Sequence, residues 1–486
     1  MSSTAIEELE PQRVFHHFAQ LLAIPRPSGH EEGVASWLKQ FAAANGFDYK
    51  KDTSGNVIIT APASKGCEKA PSLILQGHMD MVPVAADGVR HDFLKDPIEA
   101  FAEDGFLKAK GTTLGADDGL GVCTALAILE DKDLPHGPLK AVFTVEEETT
   151  MKGALGLSAD DLKADCLINL DSEDDGQLFI GCAGSADVNI TLDTENVSVP
   201  GTKAYTLALS HFAGGHSGSD INAGTANTVS LLAGLLLTLS DDFEIFLKSL
   251  EGGSVRNAIP SSAKAVVLVP EAQAQDFEKA VKEAFDKAYS VYERTDPEGS
   301  CDLAQCPNDG QAMSLECTLE LLSLIRALPN RVMRMSDSAP EIVETSSNLG
   351  MVRTFGDHVL ICEMPRSLKE RGLDEAIAVI AAAASLAGAD VAVEHRHPCW
   401  LSPDHGTLVE VMQESYHKVT GREFKITAIH AGLECAQFAK LNPGLAMISV
   451  GSTILNPHSP KERAGIKGCA ELYETVRLAV KALSEK

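Results

Sequence analysis

The chain predicts an α/β fold with a mostly parallel central sheet and an inserted α+β domain. Three observations lead there. Its 486 residues exceed what one hydrophobic core usually organises, so two domains are expected, one set inside the other. Short apolar runs alternate with helical ones towards both ends of the chain, the rhythm of strand and helix layered on a sheet. The middle instead interleaves alternating runs with helices, which reads as α+β.

Taken in order, Leu73 to Gly77 predicts a strand, Leu120 to Leu129 a helix, and Ala141 to Val145 and Cys166 to Leu170 two further strands. The middle holds the alternating runs Ala204 to Leu209 and Ala263 to Val269, with helices at Thr228 to Leu239 and Asp276 to Glu293. Thr295 to Pro307, rich in Asp, Cys and Pro, reads as a loop. The α/β pattern returns with a strand at Leu445 to Val450 and a helix around Leu472 to Leu483. Residues 1–185 and 397–486 are therefore expected to form one discontinuous domain, and 186–396 the insertion.

Composition narrows the function classes. With 41 Lys and Arg against 69 Asp and Glu, the net charge of −28 repels polyanions and argues against nucleic acid or an anionic membrane as partner. The apolar stretches Val229 to Leu239 and Ala376 to Ala389 are too short to span a bilayer. Met1 to Arg13 is acidic where a secretory signal needs a basic start, and the 11 cysteines contain no C-x-x-C pair. A reducing, cytoplasmic location is the expectation. Cys435, beside the polar run around His430, reads as a buried thiol.

The most informative feature is where the polar residues fall relative to the strands. In an open α/β sheet, ligands bind beyond the carboxyl ends of the strands, because loops converge there. Leu73 to Gly77 runs into His78 and Asp80; Ala141 to Val145 into Glu146, Glu147 and Glu148; Cys166 to Leu170 into Asp171; and Leu445 to Val450 leads to the loop holding His458. Each alone is an ordinary loop, acidic end or cap. Their conjunction points to metal chemistry. The Gly-rich run from Gly111 to Gly119 adds Asp117 and Asp118 just before an apolar helix, with Asp118 expected to serve as its N-cap.

Two histidines and three carboxylates suffice for two divalent ions. If Asp117 bridges, each ion receives one histidine, one terminal carboxylate, a bridging oxygen and a shared water. Imidazole and carboxylate without thiolate suit two zinc ions, with cobalt or manganese as substitutes. Asp80 is placed to accept the other ring N–H of His78. Glu147, beside Glu148, is the candidate general base.

The runs His78-Met-Asp80, Gly115-Ala-Asp117-Asp118-Gly119, Thr144 to Glu148, Asn169-Leu-Asp171-Ser172 and Pro457-His458-Ser459-Pro460 resemble the co-catalytic zinc exopeptidases related to aminoacylase and glutamate carboxypeptidase. Within these, Ile24-Pro-Arg-Pro-Ser28, Gly214 to Gly218, Arg256 to Pro260, Arg366-Ser-Leu368 and Ile429 to Cys435 resemble the Xaa-His dipeptidases. The resemblance covers nearly the whole chain. It implies His78, Asp117 and Asp171 on one zinc, and Asp117, Glu148 and His458 on the other. It further implies that the insertion is a lid through which a homodimer forms, that His216 stabilises the oxyanion, and that Asn257, Arg366 and Gly432 contact the substrate. The implied activity is hydrolysis of dipeptides, Xaa-His peptides such as carnosine foremost.

Two departures from the family pattern stand out. Thr150 occupies a position commonly held by glycine, and the third glutamate, Glu146, allows a one-residue shift that would exchange base and ligand. An aminoacylase or deacetylase of the same fold, and a non-catalytic metal-binding interaction protein, are the alternatives. The presence of Glu147 argues against the second, since a binding module needs no base.

Overall fold

The computed structural model describes residues 6–337, 339–402 and 406–486. The chain divides into two compact units: Met1–Gly181 with Trp400–Ala428 and Leu433–Lys486, and Cys182–Cys399 with Ile429–Gly432. The short segment Ile429–Gly432, which the sequence leaves with the flanking α/β part, thus belongs to the second unit.

The first unit is organised by a nine-stranded mixed sheet. Its centre is four parallel strands, in the order Leu139–Thr144, Leu73–His78, Cys166–Ser172 and Ala446–Gly451. Leu73–His78 is buried along its whole length, as a parallel strand covered on both faces must be. Antiparallel strands Val57–Ala61 and Asp48–Lys51 extend one side. Helix Ala116–Leu129 is buried at every position, which explains why its sequence is apolar all round rather than striped. Helix Gln12–Leu22 packs against it and buries Val14, Phe15, Phe18, Leu21 and Leu22, the one-sided pattern of an outer layer. Helices Thr407–Thr420 and Ile466–Ser484 pack on each other.

The second unit holds a nine-stranded sheet whose pairings are antiparallel. Alternating residues such as Tyr205, Leu207 and Leu209 join a core with helices Thr228–Ser240, Ala274–Tyr289 and Leu315–Ala327. The loop expected over Thr295 to Pro307 is corrected here: Ser300–Cys306 is an edge strand paired with Thr202–Ser210. Cys301 and Leu303 lean on the core while Asp302 is exposed, so a strand with one wet face carries too little apolar signal to be read as one. Among the described residues no helix is long and apolar enough to cross a membrane.

Candidate metal centre

The parallel strands deliver their polar residues at their carboxyl ends. His78 is the last residue of its strand and Asp171 the penultimate residue of its neighbour. Glu147 and Glu148 open a four-residue helix after Leu139–Thr144. His458 follows the short strand Ile454–Leu455, in left-handed backbone with φ of 56°. The local chain is held in place by a ladder of buried amides and hydroxyls across the strands. Asn169 donates to Gln76 (2.6 Å), Ser449 to Asn169 (2.5 Å), and Ser449 and Ser172 share a hydrogen bond of 2.6 Å.

Asp117 stands between the two histidines. Its Oδ1 lies 3.1 Å from His78 Nε2 and its Oδ2 3.1 Å from His458 Nε2. Asp171 Oδ1 lies 3.3 Å from His78 Nε2, and Glu148 Oε2 3.0 Å from His458 Nε2. The five residues therefore divide into two sets that share one carboxylate. The other ring nitrogen of His78, Nδ1, faces Asp80, 3.4 Å from its carboxylate and 3.2 Å from its carbonyl oxygen. Asp80 in turn accepts the N–H groups of Glu147 (3.1 Å) and Glu148 (3.3 Å) and the hydroxyl of Ser28 (2.7 Å). One buried carboxylate thus ties the orientation of the histidine to the backbone of the glutamate pair.

The three consecutive glutamates separate by position. Glu146, in left-handed backbone, turns to Lys152, while donor atoms of His78, Glu147 and Glu148 gather within 4.8 Å of one another. Thr150, where the family pattern has glycine, closes the short helix, and the left-handed conformation falls on Met151 (φ 52°). Asp118, in non-helical backbone (φ −99°, ψ 33°) at a kink, immediately precedes the regular helix, the position the sequence expects of its N-cap. Its buried carboxylate accepts the backbone N–H of His78 at 3.2 Å. Glycine is required around it, since a Cβ at Gly77 or Gly121 would lie 2.1 Å from an Asp118 oxygen.

The electrostatics ask for cations. Burial pushes Asp171 up to about 6 and Glu148 up to about 7, against the pull of His78 and His458 respectively. Hydrogen bonds with Asp117 and Glu148 lift His458 to about 11. Asp117, against its own desolvation, is held well below the usual carboxylate range by His458 and His78. Carboxylates crowded around imidazoles in a buried site favour added positive charge, which divalent ions can supply. Glu148 Oε1 is moreover buried with no hydrogen-bond partner among the described residues, as a ligand oxygen awaiting a cation would be. The donor set, imidazole nitrogen and carboxylate oxygen, fits two divalent ions of the zinc type.

The remaining sequence-derived residues lie in the second unit. His216 Nδ1 accepts the N–H groups of Gly218 (3.3 Å) and Ser219 (3.2 Å), so the neutral ring carries its proton on Nε2 and presents it as a donor. Arg366 is buried, and its guanidinium donates to Ser217 Oγ at 3.3 Å. Burial lowers it only to about 10, so it stays charged at neutral pH. Among the described residues no carboxylate is within ion-pair distance of it. The carbonyl of Asn257 accepts the N–H of Ser217 at 2.9 Å, and the residue itself is exposed, as is Gly432.

Sequence reasoning missed four residues at the centre. Glu173 offers an oxygen to the group formed with Asp117 and His458, and burial beside Asp117 pushes it up to about 8. Its place two residues after Asp171 was the available signal. Glu434 is fully buried and accepts from Gln76 (2.6 Å) and Thr144 (2.7 Å) beneath the strand ends. Arg26 and Glu462 act on backbone groups and left no pairwise signal.

A family model described as peptidase family M20/M25/M40 matches residues 74–484. The chain is 36% identical over 486 residues to the cytosol non-specific dipeptidase of Escherichia coli strain K12, covering 99% of each. Its structure matches that of the aminoacylhistidine dipeptidase of Vibrio alginolyticus with a TM-score of 0.86 and 34% identity, covering 99% of this chain and 98% of that one. The fold extends to the aminopeptidase PepT of Bacillus cereus, at a TM-score of 0.58 and 18% identity over 98% of this chain and all of that one. With five metal-type donors gathered about Asp117 and a family match over most of its length, the chain belongs to peptidase family M20/M25/M40 and is a metallopeptidase.

Proposed function

We propose that this protein is a cytoplasmic dipeptidase that hydrolyses free dipeptides, Xaa-His peptides including carnosine foremost. The observation that carries the reading is the shared carboxylate of Asp117, each of whose oxygens faces a different histidine at 3.1 Å. The names of the two full-length relatives support the substrate class. His78, Asp117 and Asp171 would hold one ion and Asp117, Glu148 and His458 the other, with zinc as the proposed metal. Two such ions supply Lewis-acid polarisation of the scissile carbonyl and acidify the attacking water.

The chain's own groups do the rest. Glu147 accepts the proton of the attacking water and returns it to the leaving amine. Asp80 holds the tautomer of His78 in which Nε2 is the ligand atom. His216, with its proton on Nε2, donates to the oxyanion that develops on the carbonyl oxygen. Arg366, charged and without an ion-pair partner among the described residues, pairs with the free α-carboxylate and so restricts the substrate to very short peptides. Asn257 and Gly432 complete the substrate contacts, and the second unit serves as lid and homodimer interface.

The test is a panel of Ala-His, carnosine and N-acetyl-histidine offered to the zinc-loaded protein. Hydrolysis of the first two with none of the third is the expected result. Preference for the acylated amino acid would make it an aminoacylase, and no turnover of any would reject the reading.

A further inference from the structure

The Gly-rich loop carrying Asp117 is gripped by two buried charges of opposite sign, neither of which is a metal donor. Glu462, four residues after His458, is 3% exposed. Its Oε2 accepts the N–H groups of Leu114 (2.7 Å) and Gly115 (3.0 Å), and its Oε1 those of Ala116 (2.8 Å) and Asp117 (3.5 Å). These include first-turn N–H groups that have no partner within a helix. On the other side, Arg26 is 2% exposed. Its guanidinium donates to the carbonyls of Met79 (2.9 Å), Asp80 (2.7 Å) and Gly115. Among the described residues no carboxylate is within ion-pair distance of it. The fork is therefore spent on main-chain carbonyls.

We infer that Glu462 and Arg26 are positioning residues for the bridging carboxylate of Asp117. Together they join the three segments whose donors must meet: the His78 to Asp80 turn, the Asp117 loop and the His458 loop. A bridge demands that both oxygens of one carboxylate point to different partners, so a small rotation of the loop breaks one of the two 3.1 Å contacts. A carboxylate that binds the loop's N–H groups, and a guanidinium that binds its carbonyl, leave that loop little freedom to rotate. The glycines of the motif follow from the same grip. A Cβ at Gly115 or Gly119 would lie 2.6 or 2.7 Å from Arg26 Nη2, so the guanidinium leaves no room for a side chain at either position, and Gly115 is besides in left-handed backbone with φ of 69°. The Arg of the Ile24 to Ser28 run thereby acquires a role.

The inference rests on the proposed dimetal reading, and zinc itself is the probe. Chelator-stripped wild type, Glu462→Gln, Glu462→Asp and Arg26→Lys are titrated with zinc against a competing chelator, and kcat and KM for Ala-His are measured at zinc saturation. The amide of Glu462→Gln keeps one acceptor and turns an NH2 towards two N–H groups. Its zinc affinity is expected to fall about 10- to 100-fold, with kcat falling at saturation while KM changes little. Glu462→Asp, which keeps the charge, should recover part of both. If Glu462→Gln does not fold, Arg26→Lys decides, with the same expected loss. Variants with a lowered Tm but wild-type zinc affinity and wild-type kcat would overturn the inference, reducing both residues to structural supports. A wild type that takes up no zinc would instead reject the functional reading on which it rests.

Discussion

Glu363 lies fully buried in strand His358–Ser367 of the second unit, with Leu349 and Val188 as its cross-strand partners. The hydroxyl of Ser347 donates to one of its oxygens, and the other has no hydrogen-bond partner among the described residues. Burial pushes its pKa from 4.5 up to about 8, so the folded protein holds a proton that the unfolded chain has released at neutral pH. The folded state then binds more protons than the unfolded one between those values, and stability falls as pH rises through that window. At about 1.36 kcal/mol per pH unit, the loss is on the order of 3 kcal/mol at pH 7 and under about 1 kcal/mol at pH 5. Glu363→Gln mimics the protonated acid in shape and hydrogen bonding without its linkage. Relative to wild type it should gain stability at pH 8 and little at pH 5. A Tm gain of about 2–4 °C per kcal/mol is expected for a unit of this size. Thermal unfolding followed by circular dichroism at both values reads the effect, and it is the change between them that carries the argument. The same Tm difference at pH 5 and pH 8, or a variant that loses ground as pH rises, would refute it.

Glu147→Gln should keep both metals by elemental analysis and lose about 10²- to 10⁴-fold in kcat, the usual contribution of a general base; loss of metal would make Glu147 a ligand instead. His216→Ala should keep its zinc and its fold while kcat falls about 10²- to 10³-fold, and a wild-type kcat would remove it from the oxyanion site. Mixing the two inactive variants should restore activity if the histidine serves a neighbouring subunit and should give no rescue if it serves its own chain.

The parts of the fold that were legible are those where burial leaves a pattern in one dimension. Leu73–His78 and Cys166–Ser172 are mostly apolar runs, interrupted by Gln76 and Asn169, that end in polar residues, so the strand and its polar end could be read together. Ser300–Cys306 was not, because an edge strand with exposed Asp302 has almost no apolar period. At the centre, residues whose side chains could hold a metal stood out by type and position. The contact of Asp118 with the N–H of His78 was not legible, because that partner lies 40 residues away on a strand, whereas an N-cap is read from the residue's own helix. The contacts of Glu462 and Arg26 were invisible for a related reason: the two side chains bind backbone groups 345 to 348 and 53 to 89 residues away. Backbone N–H and C=O groups are the same in every residue, so nothing in the partner's identity announces the contact.

The most direct test of the account is the zinc content of Asp117→Ala beside wild type, measured on folded protein after dialysis against a weak chelator. Wild type should retain two zinc ions per chain. Because Asp117 faces both His78 and His458, its removal should strip both ions, whereas His458→Ala should spare the ion held by His78 and Asp171. Two tightly bound zinc ions in Asp117→Ala would contradict the shared-carboxylate centre on which the proposed dipeptidase chemistry depends.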